Sequence, residues 1–308
     1  MAANLAPRQA KLLKIGASPR PAVYDGSKGV YLSPSLAEVG KRTSDLTEWL
    51  NLLAPDIVRR AHREYVAAGS QIIQTNSFNG NRFRLQAHDL DSRVQEVNVL
   101  AAQIARQAAG EHALVAGVIG PSGKLAALGE VAKEELVVAF AEQAKALDEG
   151  GVDFFHIETM SDLEEAVAAM EGVRRVSGLA VALTMSFDAG NVERGLRTMM
   201  GVSPKALVGK ANELELFAVG VNCGLGLEGY QQLVRDLIES APTGLVIAKL
   251  NAGTPRIEGG RAVYEASPAS MADYGAWCAR NGVHIVGACC GSTPEHIEAI
   301  ARALSREL

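Results

Sequence analysis

The chain has 308 residues, 48% hydrophobic and 21% charged, with a formal net charge of −5. That acidic balance and the lack of a basic run exclude a surface that tracks a phosphate backbone, so no nucleic-acid partner is expected. No run of 18 apolar residues is present, so no membrane span is expected, and four cysteines in so long a chain make no disulfide framework, which points to the reducing cytoplasm.

Residues 1–20 are mildly basic without an apolar core and read as a short N-terminal extension, not a secretory signal. From 21 to 308 one β/α pattern runs unbroken. Eight short apolar runs are expected to be strands: AVYDG (22–26), QIIQTNSF (71–78), ALVAGVIGP (113–121), VDFFHIET (152–159), LAVALTMSF (179–187), LFAVGVNC (216–223), LVIAKLNAG (245–253) and VHIVGACCG (283–291). Most are continuously apolar, as strands buried on both faces are. Helical patterns lie between them. One is 133–151, with Gly150 and Gly151 suited to its exit, and another is 161–176, with Ser161 as the expected N-cap. Eight such units fit an α/β fold, a (β/α)8 TIM barrel in a single domain. The alternative, a doubly wound open sheet, has no early G-x-G-x-x-G to support it.

Each apolar run ends in residues that carry chemistry, among them Asp25, Asn76, Glu158, Ser186, Cys223, Asn251 and the pair Cys289–Cys290. In a barrel those ends share the C-terminal face, where active sites lie. Cys278, in a helical stretch, reads as buried filler. The other three cysteines end strands beside glycines. Side chains alternate along a strand, so Cys289 and Cys290 can face one point only if the strand breaks, which the flanking glycines permit. Three thiolates at one mouth suit zinc, and three protein ligands with an open fourth position is the arrangement of catalytic zinc. A disulfide between these neighbours would be strained. Core filler is the other reading of the pair.

The segments GVNCG (220–224) and GACCGSTPEHI (287–297) resemble the zinc-binding signature of the homocysteine S-methyltransferase family. The likeness continues through DGSKG (25–29), QTNSF (74–78), GPSGK (120–124), IETMSD (157–162) and NAGTPR (251–256), in the family's order from about residue 22. GPSGK and the GEVAKEE stretch are closer to the methionine-synthase branch than to the betaine branch. The resemblance implies one Zn2+ per chain on Cys223, Cys289 and Cys290, which takes the acceptor sulfur as fourth ligand and keeps it a thiolate. It implies that Glu158, helped by Asp25, meets the ammonium of homocysteine, and that backbone amides around Gly26 and Ser27 receive its carboxylate. Glu158 also reads as a helix-capping acid, and Asp25 as a turn residue. Asn251 is a candidate resting-state zinc ligand or a plain turn residue. Asn76 and Thr75 either shape the mouth or are structural. His156 shares parity with Glu158 and reads as a buried, hydrogen-bonded histidine.

Three positions depart from the family pattern. Lys28 and Val30 stand beside the expected amino-acid cradle, and Leu250 precedes the Asn-Ala-Gly motif. Lys28 reads by default as a solvated lysine, or else as a group that meets a partner or an anionic donor. The chain runs 18 residues past Cys290, so no attached folate or cobalamin module is expected. The methionine-synthase likeness then implies a methyl group carried by a separate corrinoid protein. The rival donors are a betaine, a methylsulfonium compound or S-adenosylmethionine; the 5% aromatic content disfavours betaine. A non-catalytic zinc- or thiol-binding barrel is the reading from another class.

Overall fold

Apolar runs without alternation need cover on both faces, and the computed structural model shows how it is provided. The structure describes residues 10, 12–125, 128–224, 226–254, 256–258 and 261–306. Eight parallel strands make one sheet: β1 Ala22–Val23, β2 Ile72–Gln74, β3 Leu114–Ile119, β4 Phe154–Met160, β5 Val181–Met185, β6 Ala218–Asn222, β7 Leu245–Leu250 and β8 Ile285–Ala288. Their order is β1-β8-β7-β6-β5-β4-β3-β2, and a parallel bridge between Tyr24 and Ile72 joins the two ends of the sheet. Each strand is followed by a helix: α1 Pro55–Ala67, α2 Val94–Ala109, α3 Lys133–Gly150, α4 Leu163–Val176, α5 Pro204–Glu213, α6 Leu227–Glu239, α7 Pro268–Arg280 and α8 Pro294–Arg306. This is the (β/α)8 TIM barrel that the spacing predicts.

Strand parity divides the core in two. Ala22, Ile72, Ala116, Phe154, Ala182, Ala218, Ile247 and Ile285 pack together inside the barrel. Val23, Ile73, Val115, Phe155, Val219, Val246 and Val286 face outward and pack with helix residues such as Phe140, Leu233 and Ile300. Residues 12–17 of the expected extension are helical, and Leu12 is buried in the inner cluster with Ile15, Phe217 and Leu245 against it. These are residues of the strands' N-terminal ends, so the described part of the extension covers the barrel floor.

The strands are shorter than the apolar runs, most of all β1 and β2. The residues left over at their C-terminal ends are the polar ones, in irregular backbone that can aim a side chain. Gly151 ends α3 in the left-handed conformation with φ 97°. At α4 the cap is Asp162, not Ser161. The Asp162 carboxylate accepts from Glu164 N at 2.9 Å, a stronger acceptor than a hydroxyl for the positive end of a helix.

The barrel has no spare volume where β6 meets β7. A methyl group on Gly220 would stand 2.0 Å from the Ile247 carbonyl oxygen. Gly220→Ala is therefore expected to lose about 1–3 kcal/mol of stability through overpacking, read as a lower urea midpoint at unchanged slope.

Candidate functional site

Two strand ends bring the cysteines together. β6 stops at Asn222, and Cys223 follows in the left-handed region with φ 56°, an unusual conformation for a residue with a Cβ. β8 stops at Ala288. Cys289 N still donates to Leu250 O at 2.7 Å, whereas Cys290 N donates to the side-chain Oδ1 of Asn251 at 3.0 Å. The chain then turns at Gly291, φ 78°, where a Cβ would lie 2.1 Å from Cγ of Tyr264. Strand alternation is broken by that turn, and both cysteines face Cys223. Its Sγ is 2.8 Å from that of Cys289 and 3.7 Å from that of Cys290, and the three sulfur atoms lie within 4.8 Å of one another.

Three thiols this close share one negative charge. Cys290 is pulled down to about 3 by hydrogen bonds from Cys223 and Cys289, with a further one from Tyr264. Cys223 is pushed well above the thiol range by its bonds to Cys289 and Cys290 and by burial. Cys289 is lowered by Cys223, yet Cys290 and burial prevail and raise it to about 11. Cys278 is fully buried in α7, and burial pushes its thiol up, as suits a core residue.

Beneath the cysteines runs a polar layer. Asn222 donates to Thr159 Oγ1 at 2.7 Å and to Cys289 Sγ at 3.6 Å, and accepts from Thr184 Oγ1 at 2.7 Å. Thr184 also contacts His156 Nε2 at 3.0 Å, and His156 Nδ1 contacts the Tyr24 hydroxyl at 3.0 Å. His156 is buried and held neutral, its pKa lowered to about 3 by desolvation. The β4–β5 register slips between Ile157 and Met160, and Thr159 has φ 62°. Such a bulge re-aims side chains, here Glu158.

Both acids of the expected cradle have lysines beside them. Lys249, on β7, donates to Glu158 Oε1 and to Gln74 Oε1, each at 2.5 Å, and stands 4.2 Å from the Tyr24 ring centre. Burial opposes the Lys249 charge, but Glu158 and Asp25 outweigh it and hold the ammonium above its ordinary value. Lys28 is not a solvated surface group. It is 5% exposed, hydrogen-bonded to Asp25 Oδ2 and 4.0 Å from the Tyr65 ring centre. Asp25 Oδ2 also accepts from Gln74 N at 3.0 Å, whereas its Oδ1 is buried without a partner. Burial pushes the Asp25 carboxyl up, against Lys28 and Lys249.

A cavity of about 510 Å³ opens above these groups, its wall including Cys223, Cys289, Cys290, Glu158, Thr159 and Lys28. Gly26, Ser27, Thr75 and Asn76 also border it. The Ser27 amide, expected to meet a carboxylate, donates to Ser292 Oγ at 3.0 Å. The Asn76 side chain binds Thr47 O, Thr47 Oγ1 and Asn51 Oδ1 at 2.8–3.0 Å, so it anchors the 41–53 segment. Thr75 is similarly engaged with Ser77 and Val118 N, and Ser186 with Asp188. Asn251 ties the two cysteine turns together, through Cys290 N and, at 3.5 Å, Gly224 O.

A homocysteine S-methyltransferase family model matches residues 22–304, nearly the whole chain. The chain belongs to the homocysteine S-methyltransferase family. Among solved structures it is similar to the homocysteine methyltransferase MmuM from Escherichia coli in its metallated form. The two are 21% identical with a TM-score of 0.73, over 92% of this chain and 96% of that one. The apo form of MmuM gives a TM-score of 0.70 over the same shares. A methyltransferase from Methanosarcina mazei is 11% identical, with a TM-score of 0.56 over 93% of each chain. At such identities these likenesses speak for the barrel, and the family match speaks for methyl transfer.

Within this family member, Lys249, Asn222 and Tyr264 belong to the site although sequence reasoning passed over them. Parity with Asn251 is the signal that places Lys249 inward. Removing one partner of a buried ion pair leaves an uncompensated charge. Lys249→Met is thus expected to lose about 3–5 kcal/mol, and Lys249→Met with Glu158→Gln to recover most of it, measured by urea denaturation of both variants.

Proposed function

We propose that the protein is a zinc-dependent thiol S-methyltransferase that methylates homocysteine to methionine. The observation that carries this reading is the three-cysteine cluster on the wall of a cavity that also presents Glu158 and Lys28. The donor set fits zinc. Three soft sulfur atoms are gathered to 4.8 Å, one held as thiolate and two needing a cation to ionise. When bound on Cys223, Cys289 and Cys290, zinc supplies the positive charge that keeps an acceptor thiol deprotonated at neutral pH.

The remaining work falls to the chain itself. Lys249, itself steadied by Gln74 Oε1, holds Glu158 by Oε1, and Glu158 borders the cavity, where its other oxygen can accept from the acceptor ammonium. Asn251 and Asn222 fix the cysteine turns from behind. The acceptor thiolate attacks the methyl carbon, and the donor leaves with the bonding electron pair.

A separate corrinoid protein is the proposed donor. Val30, Leu125, Leu128, Val192, Met199 and Met200 are exposed, and all lie on connections that follow strand C-terminal ends, on the side of the mouth. Phe78 is the one aromatic residue among the described residues of the cavity wall, a poor lining for a quaternary ammonium donor. No described helix is long and apolar enough to cross a membrane.

The reading is tested by metal content and proton release. Purified protein is expected to carry about one zinc per chain, and Cys290→Ala is expected to lose it. Homocysteine added at neutral pH should release about one proton per zinc. Turnover with a methylated corrinoid protein and not with betaine, a methylsulfonium compound or S-adenosylmethionine would identify the donor. Failure to bind zinc on reconstitution under reducing conditions would overturn the mechanism.

A further inference from the structure

The described cavity wall carries three charged side chains, Glu158, Asp45 and Lys28; Glu158 has a role in the proposed reaction and Asp45 is paired with Arg42, which leaves Lys28 to be accounted for. We infer that Lys28 is a specificity-determining residue, the cation that receives the carboxylate of the acceptor thiol. The inference rests on the thiol-methyltransferase reading and names the acceptor class for it: a thiol that carries a carboxylate.

Of the backbone amides expected to receive that carboxylate, Ser27 N already donates to Ser292 Oγ. Among the described residues of the cavity wall, Lys28 is the sole lysine or arginine; Lys249 is 1% exposed and sits behind Glu158. A buried ammonium is costly unless paired, and Asp25 supplies the pair. An ammonium has three N–H donors, and Asp25 Oδ2 is the one polar acceptor of Lys28 among the described residues. The Tyr65 ring, fixed by its hydroxyl bonds to Ser27 O and Ser292 O at 2.8 and 3.1 Å, stacks against the same ammonium. Lys28 is therefore held in place at the wall with donor capacity left over. Glu158 and Lys28 then offer opposite charges on one wall to the two ends of an amino acid, while the cysteines take its sulfur.

The test uses zinc-loaded protein and three thiols, with binding followed by proton release and no methyl donor present. They are homocysteine, 4-mercaptobutanoate, which lacks the amine, and 3-aminopropane-1-thiol, which lacks the carboxylate. The wild type is expected to bind homocysteine about 10- to 100-fold more tightly than the amine thiol, which keeps the Glu158 contact and lacks only the carboxylate, as a hydrogen bond to a charged group provides. Lys28→Met should abolish that preference with little change for the amine thiol, and Lys28→Arg should retain most of it. Equal binding of homocysteine and the amine thiol by the wild type would overturn the role of Lys28, even if no variant folds. So would an equal loss for every thiol in Lys28→Met. Proton release with none of the thiols would overturn the methyltransferase reading and this inference with it.

Discussion

Charge inside an apolar barrel has to be matched, and the upper layer of this barrel is organised by that requirement. Two carboxylates are answered by two lysines, Asp25 by Lys28 and Glu158 by Lys249. Among the described residues, the third group of potential anions, the cysteines, has within hydrogen-bond reach only neutral donors, the Asn222 amide and the Tyr264 hydroxyl. Its thiols settle for one shared negative charge. A site that balances every carboxylate but leaves three sulfur atoms short of a cation is arranged for a cation from outside, which is why the cluster, not the acids, carries the proposed function.

The arrangement depends on where β-structure ends. Residues 66 and 67 positions apart meet because β6 and β8, on either side of β7, release their chains at the same level of the barrel. Had β6 continued one residue further, or β8 two, alternation would have carried one sulfur to the helix side. Asn251 guards that stopping point by taking the Cys290 amide from the ladder. Asn222 does comparable work on the other side, bridging the β4 bulge to Cys289. The left-handed backbone at Thr159 is thus held by the Asn222 side-chain amide, and the turn at Cys223 is tied by Asn251 through Gly224 O.

The barrel and its cysteine cluster were legible because they follow from repetition and from strand ends, which a one-dimensional pattern records. The lysines were not. Lys249 stands in the apolar run LVIAKL, and its inward direction follows only from counting parity back from Asn251. Lys28 reads as a loop residue, since nothing local to DGSKG announces that Tyr65 and Ser292 close over it. Asn76 shows the opposite case: its place at a strand end suggests an acceptor contact, yet long-range bonds to Thr47 and Asn51 engage its amide. Burial of polar groups is decided by connections between units, and these leave no periodic trace.

The same charge balance bears on the donor. A cavity of about 510 Å³ with Glu158, Lys28 and the sulfur cluster on its wall suits a small zwitterionic thiol. Its one aromatic residue among the described residues is Phe78, a poor seat for a quaternary ammonium donor. In the proposed reaction the donor is instead recognised outside, by the apolar side chains of the strand-to-helix connections, and only its methyl group enters. Such a division separates the two specificities: variation at Val192 or Met199 would alter the donor while the acceptor chemistry, fixed by strand ends and buried ion pairs, stays as it is.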